Sequence, residues 1–337
     1  MITHYHHNIS VCAQKVRMAL GLACEDRYRL SGMPVLITDQ DEMQLSPRRC
    51  AGFPAAGIAH PLALRQWVGA AILFAVSLCV SACATIEGVN TSVIAEKRVE
   101  YVIAGRGTPA VVFENGLDGR LELWAKVFSE VAKETQVFAY NRPGIGASEN
   151  VSTPRDGDHI IEELRQNLRE TGVAPPYVLV GHSLGGLYMQ LYARRYPKEV
   201  AGLILVDSTH PEQFKGAGTP ENWPAWAKVA FKAITSETAK KELSTIPATG
   251  ASLLALPPLN GKPVIVLSAK KPMEETSELA QDANAKRVDI ARLNPGAKQV
   301  WVDSGHVIPL EKPEAVVAAI QEVLTIARAS TVARGQK

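Results

Sequence analysis

Short, uninterrupted apolar runs recur along the chain from about residue 91 onward. Runs without polar alternation are typical of strands buried on both faces of a sheet. They predict strands at 99–103, 110–113, 137–140, 177–180, 203–206, 264–267 and 299–302. Between several of these runs, apolar residues recur every three or four positions, which predicts helices at 123–132, 160–170, 187–193 and 314–326. Strands that alternate with helices predict a mostly parallel sheet covered on both faces.

The alternation of predicted strands and helices is interrupted at residues 211–262. Prolines and lysines stand there together with large apolar residues, among them Trp223, Trp226, Phe231, Leu253, Leu254 and Leu256. Because the segment lies between two predicted strands, we expect a helical lid inserted into one domain that spans 90–330. Two interpretations of the apolar residues remain: they pack the lid onto the body of the domain, or they contact a substrate with a hydrophobic part.

A long uncharged segment precedes this domain. Residues 67–80 are apolar except for Ser77, a length that fits either a membrane helix or a secretory signal. The segment ends in a sequence that resembles a bacterial lipobox, in which a peptidase cuts before Cys83 and the thiol carries a lipid. We therefore expect 61–86 to attach the protein to the membrane, by the hydrophobic segment itself or by a lipid on Cys83, with the domain outside the cytoplasm, in a bacterial cell envelope. The alternative is a buried hydrophobic helix.

Two stretches near the amino terminus carry a separate resemblance. Residues 7–20, which include Ser10 and Cys12, and residues 33–39 resemble parts of the amino-terminal segment of a glutathione transferase. The resemblance implies that Ser10 or Cys12 would contact the glutathione thiol. The segment between the two stretches is too short for the missing strand and helix, and a core this small is marginal by itself. We therefore interpret 1–45 as a truncated remnant within a poorly defined extension that spans 1–60.

The net charge and the positions of the cysteines limit the binding partners, disulfides and metal sites that we expect. The chain has 337 residues and a net charge of +2, which favours neither a nucleic-acid partner nor an acidic one. Its five cysteines all precede residue 84, so the domain that follows has no disulfide, and its core is large enough not to need one. That domain has no cysteine or histidine spacing typical of a metal site. We expect no metal and no cofactor.

The sequence Gly181-His182-Ser183-Leu184-Gly185 is the strongest chemical signal in the chain. It follows the predicted strand 177–180 and precedes the predicted helix 187–193. A serine between two glycines at a strand-to-helix turn is the pattern of a nucleophile elbow, in which a tight, strained turn lifts the hydroxyl out of the sheet edge. Without a predicted strand before it and a predicted helix after it, the same pattern would be weak evidence for a nucleophile elbow.

With this elbow, the chain resembles the α/β-hydrolase family. Three further landmarks follow the family's order: Asn115-Gly116 where His-Gly is common, the loop 141–148 after a strand, and Gly305-His306 after the last strand. The resemblance covers about 90–328. It implies an α/β-hydrolase fold, a mostly parallel sheet flanked by helices, with a helical lid between the sixth and seventh core strands. It also implies serine catalysis, without specifying a substrate.

A serine hydroxyl is a weak nucleophile and needs a base within hydrogen-bond reach. His306 matches the family's base in position and chain order. The family usually places the acid just after the strand 264–267, but the close position there is not acidic. Some relatives carry the acid one strand earlier, where this chain has Asp207. Asp207 is therefore the first choice, Glu274 and Glu275 are the alternatives, and a turn-capping role would also explain Asp207.

The resemblance assigns the oxyanion donors to the backbone amides of Leu117 and Leu184. Together these residues predict a serine hydrolase that cleaves a small or medium carboxylic ester, or a related acyl bond, through an acyl-enzyme intermediate. Two alternatives remain open. An acyltransferase would use the same triad with another acceptor, and a non-catalytic binding protein would share only the fold.

Overall fold

The computed structural model describes residues 86–222, 235–270 and 278–335. Within these residues the strands are β1 (Asn90–Ile94), β2 (Lys97–Ala104), β3 (Ala110–Glu114), β4 (Val137–Tyr140), β5 (Tyr177–His182), β6 (Val200–Val206), β7 (Val264–Ala269) and β8 (Lys298–Val302). They form one sheet in the order β1-β2-β4-β3-β5-β6-β7-β8. β2 pairs antiparallel with β1 and with β4, and the remaining pairs are parallel.

Helices separate most of the parallel strands. They are α1 (Ala125–Val131), α2 (Gly157–Glu170), α3 (Leu184–Arg195), α4 (Glu237–Ser244), α5 (Ile246–Leu254), α6 (Glu278–Arg292), α7 (Ile308–Glu311) and α8 (Pro313–Gly335). A 3₁₀ turn, Leu121–Trp124, precedes α1. Among the described residues, no helix combines the length and the apolar character that a membrane crossing needs.

The sheet is buried on both faces. Successive strand residues point to opposite faces, so Val112 and Leu179 join one core layer while Val111 and Val178 join the other. The first layer contains side chains from α2, α3, α5 and α6, and the second contains side chains from α1, α7 and α8. This arrangement explains why the central strands read as unbroken apolar runs, and it confirms the predicted α/β fold.

Local signals set the ends of α2. The Asp156 side chain accepts a hydrogen bond from the His159 amide at 3.1 Å, which caps the first turn. At the other end Gly172 has φ 74°, and the Val173 amide donates to the Leu168 carbonyl at 2.9 Å. That bond closes the helix in the manner of a Schellman motif. Gly172 therefore ends this helix.

The interruption at 211–262 lies between β6 and β7, the sixth and seventh strands. Its described part contains α4 and α5. Leu253 is buried in the core and Leu254 is 40% exposed, so the apolar residues of this insertion divide between packing and solvent. Trp223, Trp226 and Phe231 lie outside the described residues, as do the expected extension and the expected anchor segment up to residue 85.

The carboxyl ends of the central parallel strands meet at one edge of the sheet. Glu114 pairs with Gly181, and His182 pairs with Val206. Val206 in turn pairs with Leu267 of β7. The loops that follow β3, β5, β6 and β7 therefore emerge side by side, which is where ligands bind in open α/β sheets.

Candidate active site

The turn between β5 and α3 holds Ser183 in a strained backbone conformation. Ser183 has φ 52° and ψ −122°, and a positive φ is uncommon for a residue other than glycine. Its amide donates to the Val206 carbonyl at 3.0 Å. Its carbonyl accepts from the amides of Gly186 at 2.9 Å and Thr209 at 2.8 Å. These three bonds tie the strained residue to β6, to α3 and to the loop after β6.

Two close backbone contacts require the glycines on either side of the serine. A Cβ atom at Gly181 would lie 2.5 Å from the Gly185 carbonyl oxygen. A Cβ atom at Gly185 would lie 2.5 Å from the carbonyl oxygens of both Glu114 and Asn115. Any larger residue at either position would push α3 away from β3 and β5. The spacing of the motif is thus a packing requirement of this turn.

Ser183, His306 and Asp207 form a continuous chain of hydrogen bonds. His306 Nε2 lies 3.0 Å from Ser183 Oγ, and His306 Nδ1 lies 2.6 Å from Asp207 Oδ2. Because a carboxylate only accepts, Nδ1 is the donor toward Asp207, and Nε2 is left to accept from the serine hydroxyl. The three residues come from the loops after β5, β6 and β8. This is the geometry of a nucleophile, a base and an orienting acid.

The hydrogen bonds of the Gly116 carbonyl fix the orientation of the Leu117 amide. In a trans peptide the carbonyl and the next amide point in opposite directions. The Gly116 carbonyl accepts from Arg142 Nη2 at 2.7 Å and from the Gly119 amide at 3.1 Å. The Leu117 N–H consequently faces away from the buried Arg142.

The Leu184 amide is oriented in the same way. The Ser183 carbonyl is occupied by the Gly186 and Thr209 amides, so the Leu184 N–H points to the opposite side, at the amino end of α3. Within the part of the chain that the structure describes, neither this amide nor that of Leu117 donates a hydrogen bond. Both are available to an oxygen outside the protein.

Comparison with known proteins identifies the fold. A family model for the α/β hydrolase fold matches residues 109–264, which include the elbow and Asp207. A putative lipase from Acinetobacter baumannii shares the fold, with a TM-score of 0.56 and 20% identity over 83% of this chain and 100% of that one. These matches show that the chain has the α/β-hydrolase fold.

Two sequence relatives of this chain have different descriptions. The uncharacterised protein YqjL of Bacillus subtilis is 25% identical over 231 residues, 65% of this chain and 85% of that protein. The 1-acylglycerol-3-phosphate O-acyltransferase ABHD5 of Rattus norvegicus is 30% identical over 132 residues, 38% of this chain and 37% of that protein. The chain therefore spans well under half the length of the acyltransferase.

Asp207 is buried and has partners on both oxygens. It follows β6 with φ 39°, and its Oδ1 accepts from Arg287 Nε at 3.0 Å and from the Ala269 amide at 3.2 Å. Burial by itself would raise the pKa of Asp207. The hydrogen bond and charge of His306, together with the Arg287 guanidinium, outweigh burial and hold that pKa well below its usual range. The carboxylate is therefore ionised throughout the neutral range.

His182, inside the elbow, is a buried neutral imidazole. Its Nε2 lies 2.9 Å from the His306 carbonyl oxygen, which only accepts, so Nε2 carries the proton. Burial, with a smaller contribution from His306, lowers the pKa of His182 to about 3. The Trp124 ring packs edge-on against it with the centroids 6.4 Å apart. His182 thus supports the backbone of the His306 loop from within the core.

A buried arginine holds the loop after β3. Arg142 Nη1 donates to Glu114 Oε1 at 2.7 Å and to the Asn115 carbonyl at 2.6 Å, besides the bond to Gly116. Its Nε and Nη2 each lie 2.9 Å from an oxygen of Glu242, on α4 of the insertion. Burial alone would lower the pKa of Arg142, but the carboxylates of Glu242 and Glu114 hold it well above its usual value. This guanidinium connects the insertion to the loop that bears Leu117.

The structure brings together Ser183, His306 and Asp207, while Glu274 and Glu275 lie outside the described residues. Sequence reasoning missed three charged residues around the site: Arg142, Glu242 and Arg287. Arg142 stands in the loop 141–148 that carries the family resemblance, so that loop was the signal that could have found it. Glu242 and Arg287 have no local pattern. Their partners are 100 and 80 positions away in the chain.

No group of three or more His, Cys, Asp or Glu side chains has a metal-binding arrangement within 86–222, 235–270 and 278–335.

Proposed function

We propose that the chain is a serine hydrolase that cleaves a carboxylic ester or a related acyl bond through an acyl-enzyme intermediate. The observation that carries the proposal is the hydrogen-bonded chain from Ser183 Oγ through the His306 ring to Asp207. A serine hydroxyl paired with an oriented imidazole gains a nucleophile's reactivity because the base removes its proton during attack.

In the proposed reaction, Ser183 Oγ attacks the acyl carbon while His306 Nε2 takes the hydroxyl proton. The tetrahedral intermediate then collapses, the bond to the leaving alkoxide breaks, and Nε2 returns the proton to the alcohol oxygen. A water molecule repeats the sequence on the acyl-enzyme and releases the acid. Asp207 stays ionised and stabilises the imidazolium that forms in both steps.

The amides of Leu117 and Leu184 are the proposed donors to the oxyanion. Both peptide planes are held through their carbonyls, and neither N–H is used by the described residues. Preorganised donors of this kind lower the barrier because they need no reorientation as charge develops, and the loss of one costs about 10²–10³ in kcat.

A second candidate is acyl transfer to an alcohol by the same residues. It is favoured by the resemblance to the rat protein described as a 1-acylglycerol-3-phosphate O-acyltransferase, over 132 residues. The acyl-enzyme would be the same, and an alcohol would replace water in the second step. The third hypothesis is a binding protein without catalysis, and it predicts that Ser183 does not react with a fluorophosphonate.

The test is fluorophosphonate labelling of the full-length chain, followed by assays with a panel of esters. Wild type should label, and Ser183→Ala should abolish labelling and lower kcat by about 10⁴-fold or more. Asp207→Asn should lower kcat by about 10⁴-fold because it no longer holds the correct tautomer. Ser129→Ala, on the exposed surface of α1, is the matched control and should behave as wild type.

Each remaining outcome identifies one alternative. Absence of labelling on folded wild-type protein would reject the hydrolase proposal and favour a binding protein. If labelling occurs, alcohol acceptors are added to the ester assay and the products are separated. A transfer product that exceeds the free acid would favour the acyltransferase.

A further inference from the structure

Arg287, on α6, contacts the Asp207 carboxylate. Its Nε is 3.0 Å from Oδ1, and its Nη2 is 3.5 Å from Oδ2, the oxygen that also accepts from His306 Nδ1. The Arg287 side chain is 15% exposed and that of Asp207 only 1% exposed. One guanidinium thus spans both oxygens of the carboxylate in a largely dry environment.

A buried carboxylate needs a counter-charge. Two groups beside Asp207 can supply one. The guanidinium of an arginine is always protonated, whereas an imidazole supplies a charge only when it is protonated. An imidazole that is already protonated has no lone pair left to accept the proton of Ser183. The identity of the resting counter-charge therefore decides whether His306 is ready to act as a base.

Resting on the hydrolase function proposed above, we infer that Arg287 is a positioning residue that supplies the resting counter-charge of Asp207. It keeps His306 neutral, and so able to take the proton of Ser183, at a lower pH than Asp207 alone would allow. Arg287 also competes with His306 for the Asp207 carboxylate. This competition is weak because the oxygen that accepts from His306, Oδ2, is the one that Arg287 contacts at the longer distance.

The other charged and titratable groups around His306 do not supply this effect. His182, from β5, is neutral because burial lowers its pKa to about 3. Glu311, from α7, accepts a hydrogen bond from the Gly305 amide at 2.7 Å, and Asp303 stands in the same loop. Both of these acids favour a charged imidazole, as Asp207 does. Among the described residues, the cation that contacts Asp207 is Arg287.

The test is the pH profile of kcat/KM for Arg287→Gln, which keeps an amide donor but removes the charge. The acidic limb should move to higher pH by about one unit, so that activity on that limb falls about tenfold. Well above the limb, activity should return to the wild-type level, with KM unchanged. Arg287→Met is the second neutral variant, in case the glutamine variant does not fold, and should give the same displacement.

Two cationic controls separate charge from packing. Arg287→Lys keeps the charge and should retain the wild-type profile. Arg292→Gln removes an exposed charge from the end of the same helix and should also leave the profile unchanged. An equal loss of activity at every pH in the neutral variants would mean a structural role and overturn the inference. An unchanged profile would overturn it as well.

A second measurement is independent of catalysis. The proton resonance of the His306 ring, assigned by comparison with His306→Gln, is titrated in wild type and in Arg287→Gln. We expect its titration to move to higher pH in Arg287→Gln, even if the chain hydrolyses none of the esters tested. An unmoved titration in a chain that labels with fluorophosphonate would reject the role of Arg287 and leave the hydrolase function standing.

Discussion

At the scale of single residues, the buried imidazole of His182 makes the stability of the fold depend on pH. Its pKa in the folded chain, about 3, lies below the ordinary value of 6.5 because the ring is buried. On acidification the unfolded chain therefore binds a proton at this position before the folded chain does. Folding stability from His182 is complete above about pH 6.5 and is lost progressively as the pH falls toward 3.

His182→Gln should remove this contribution to acid sensitivity while keeping an amide donor for the His306 carbonyl. Between about pH 6 and 4, the free energy of unfolding of wild type should fall more steeply than that of the variant, by up to about 1.4 kcal/mol per pH unit. The measurement is urea denaturation at a series of pH values.

His182→Phe is the companion variant for this series. It should flatten the same slope but also lower stability at neutral pH, because it cannot donate to the His306 carbonyl. If the free energy of unfolding of the glutamine variant depends on pH as steeply as that of wild type, then burial does not lower the pKa of His182 in the folded chain.

Residues differ in how far sequence alone could assign them. Ser183 and its flanking glycines form a local motif that the sequence shows directly. The contact that requires Gly181 arises within one strand–turn–helix unit, whereas Gly185 is required by the carbonyls of Glu114 and Asn115, which no local pattern reports. Arg287 could not be found in this way, because its contact with Asp207 joins positions 80 apart and depends on how α6 packs on the sheet. The same limit applies to Glu242, whose partner Arg142 is 100 positions away.

At the scale of elements, α4 is attached to the loop after β3 at two points. Glu242 forms a buried ion pair with Arg142, and Ser236, which caps α4, donates from its amide to Asp118 Oδ2 at 2.9 Å. Asp118 directly follows Leu117 and has φ 52°. The insertion therefore contacts the proposed oxyanion loop twice, directly at Asp118 and indirectly through Arg142.

Glu242→Gln should weaken this attachment and the catalysis that depends on it. It leaves part of the Arg142 charge without a counter-charge in the interior, which should lower the free energy of unfolding by about 3 kcal/mol. The Gly116 carbonyl would be held less firmly, so kcat should fall about tenfold or more while KM changes little.

The matched control for that change is Glu237→Gln, the same substitution at an exposed position of α4. It should leave both stability and kcat unchanged. A large loss of stability in Glu242→Gln with kcat intact would show that the ion pair only stabilises the fold, and would reject the connection between α4 and the loop.

The elements that the sequence predicts well are those with two buried faces. All seven predicted strands lie within β2 to β8, because an unbroken apolar run reflects burial from both sides. β1 was missed, since four of its five residues are not buried and no apolar run marks it. α6 was missed for a similar reason: only Ala280 and Ile290 are buried within its fifteen residues. Elements at the edge of the fold bury few residues, so their structure depends on contacts with neighbouring elements. The hydrophobic periodicity of the sequence does not show such contacts.

At the scale of the whole molecule, the site and the largest helix of the second core layer, α8, involve different residues. The site lies at the carboxyl ends of the strands, with α3 beneath Ser183. α8 packs against α1, β6 and β7 on the other face and carries none of the site residues. Gly202 of β6 permits this close approach, because a Cβ atom there would overlap Val323 of α8. Stability supplied by α8 should therefore be separable from catalysis.

Ile320→Ala and Ile326→Ala test that separation on one helix. Ile320 is fully buried and Ile326 is 43% exposed. Ile320→Ala should lower the free energy of unfolding by about 2–5 kcal/mol, because it removes buried methylenes and leaves a cavity. Ile326→Ala should stay within about 0.5 kcal/mol of wild type. Urea denaturation measures both, and kcat/KM at a temperature well below the melting transition should match wild type in each. If folded Ile320→Ala protein loses catalysis in proportion to its stability, the packing under α8 must reach the elbow through β5 and β6, and the two faces do not act independently.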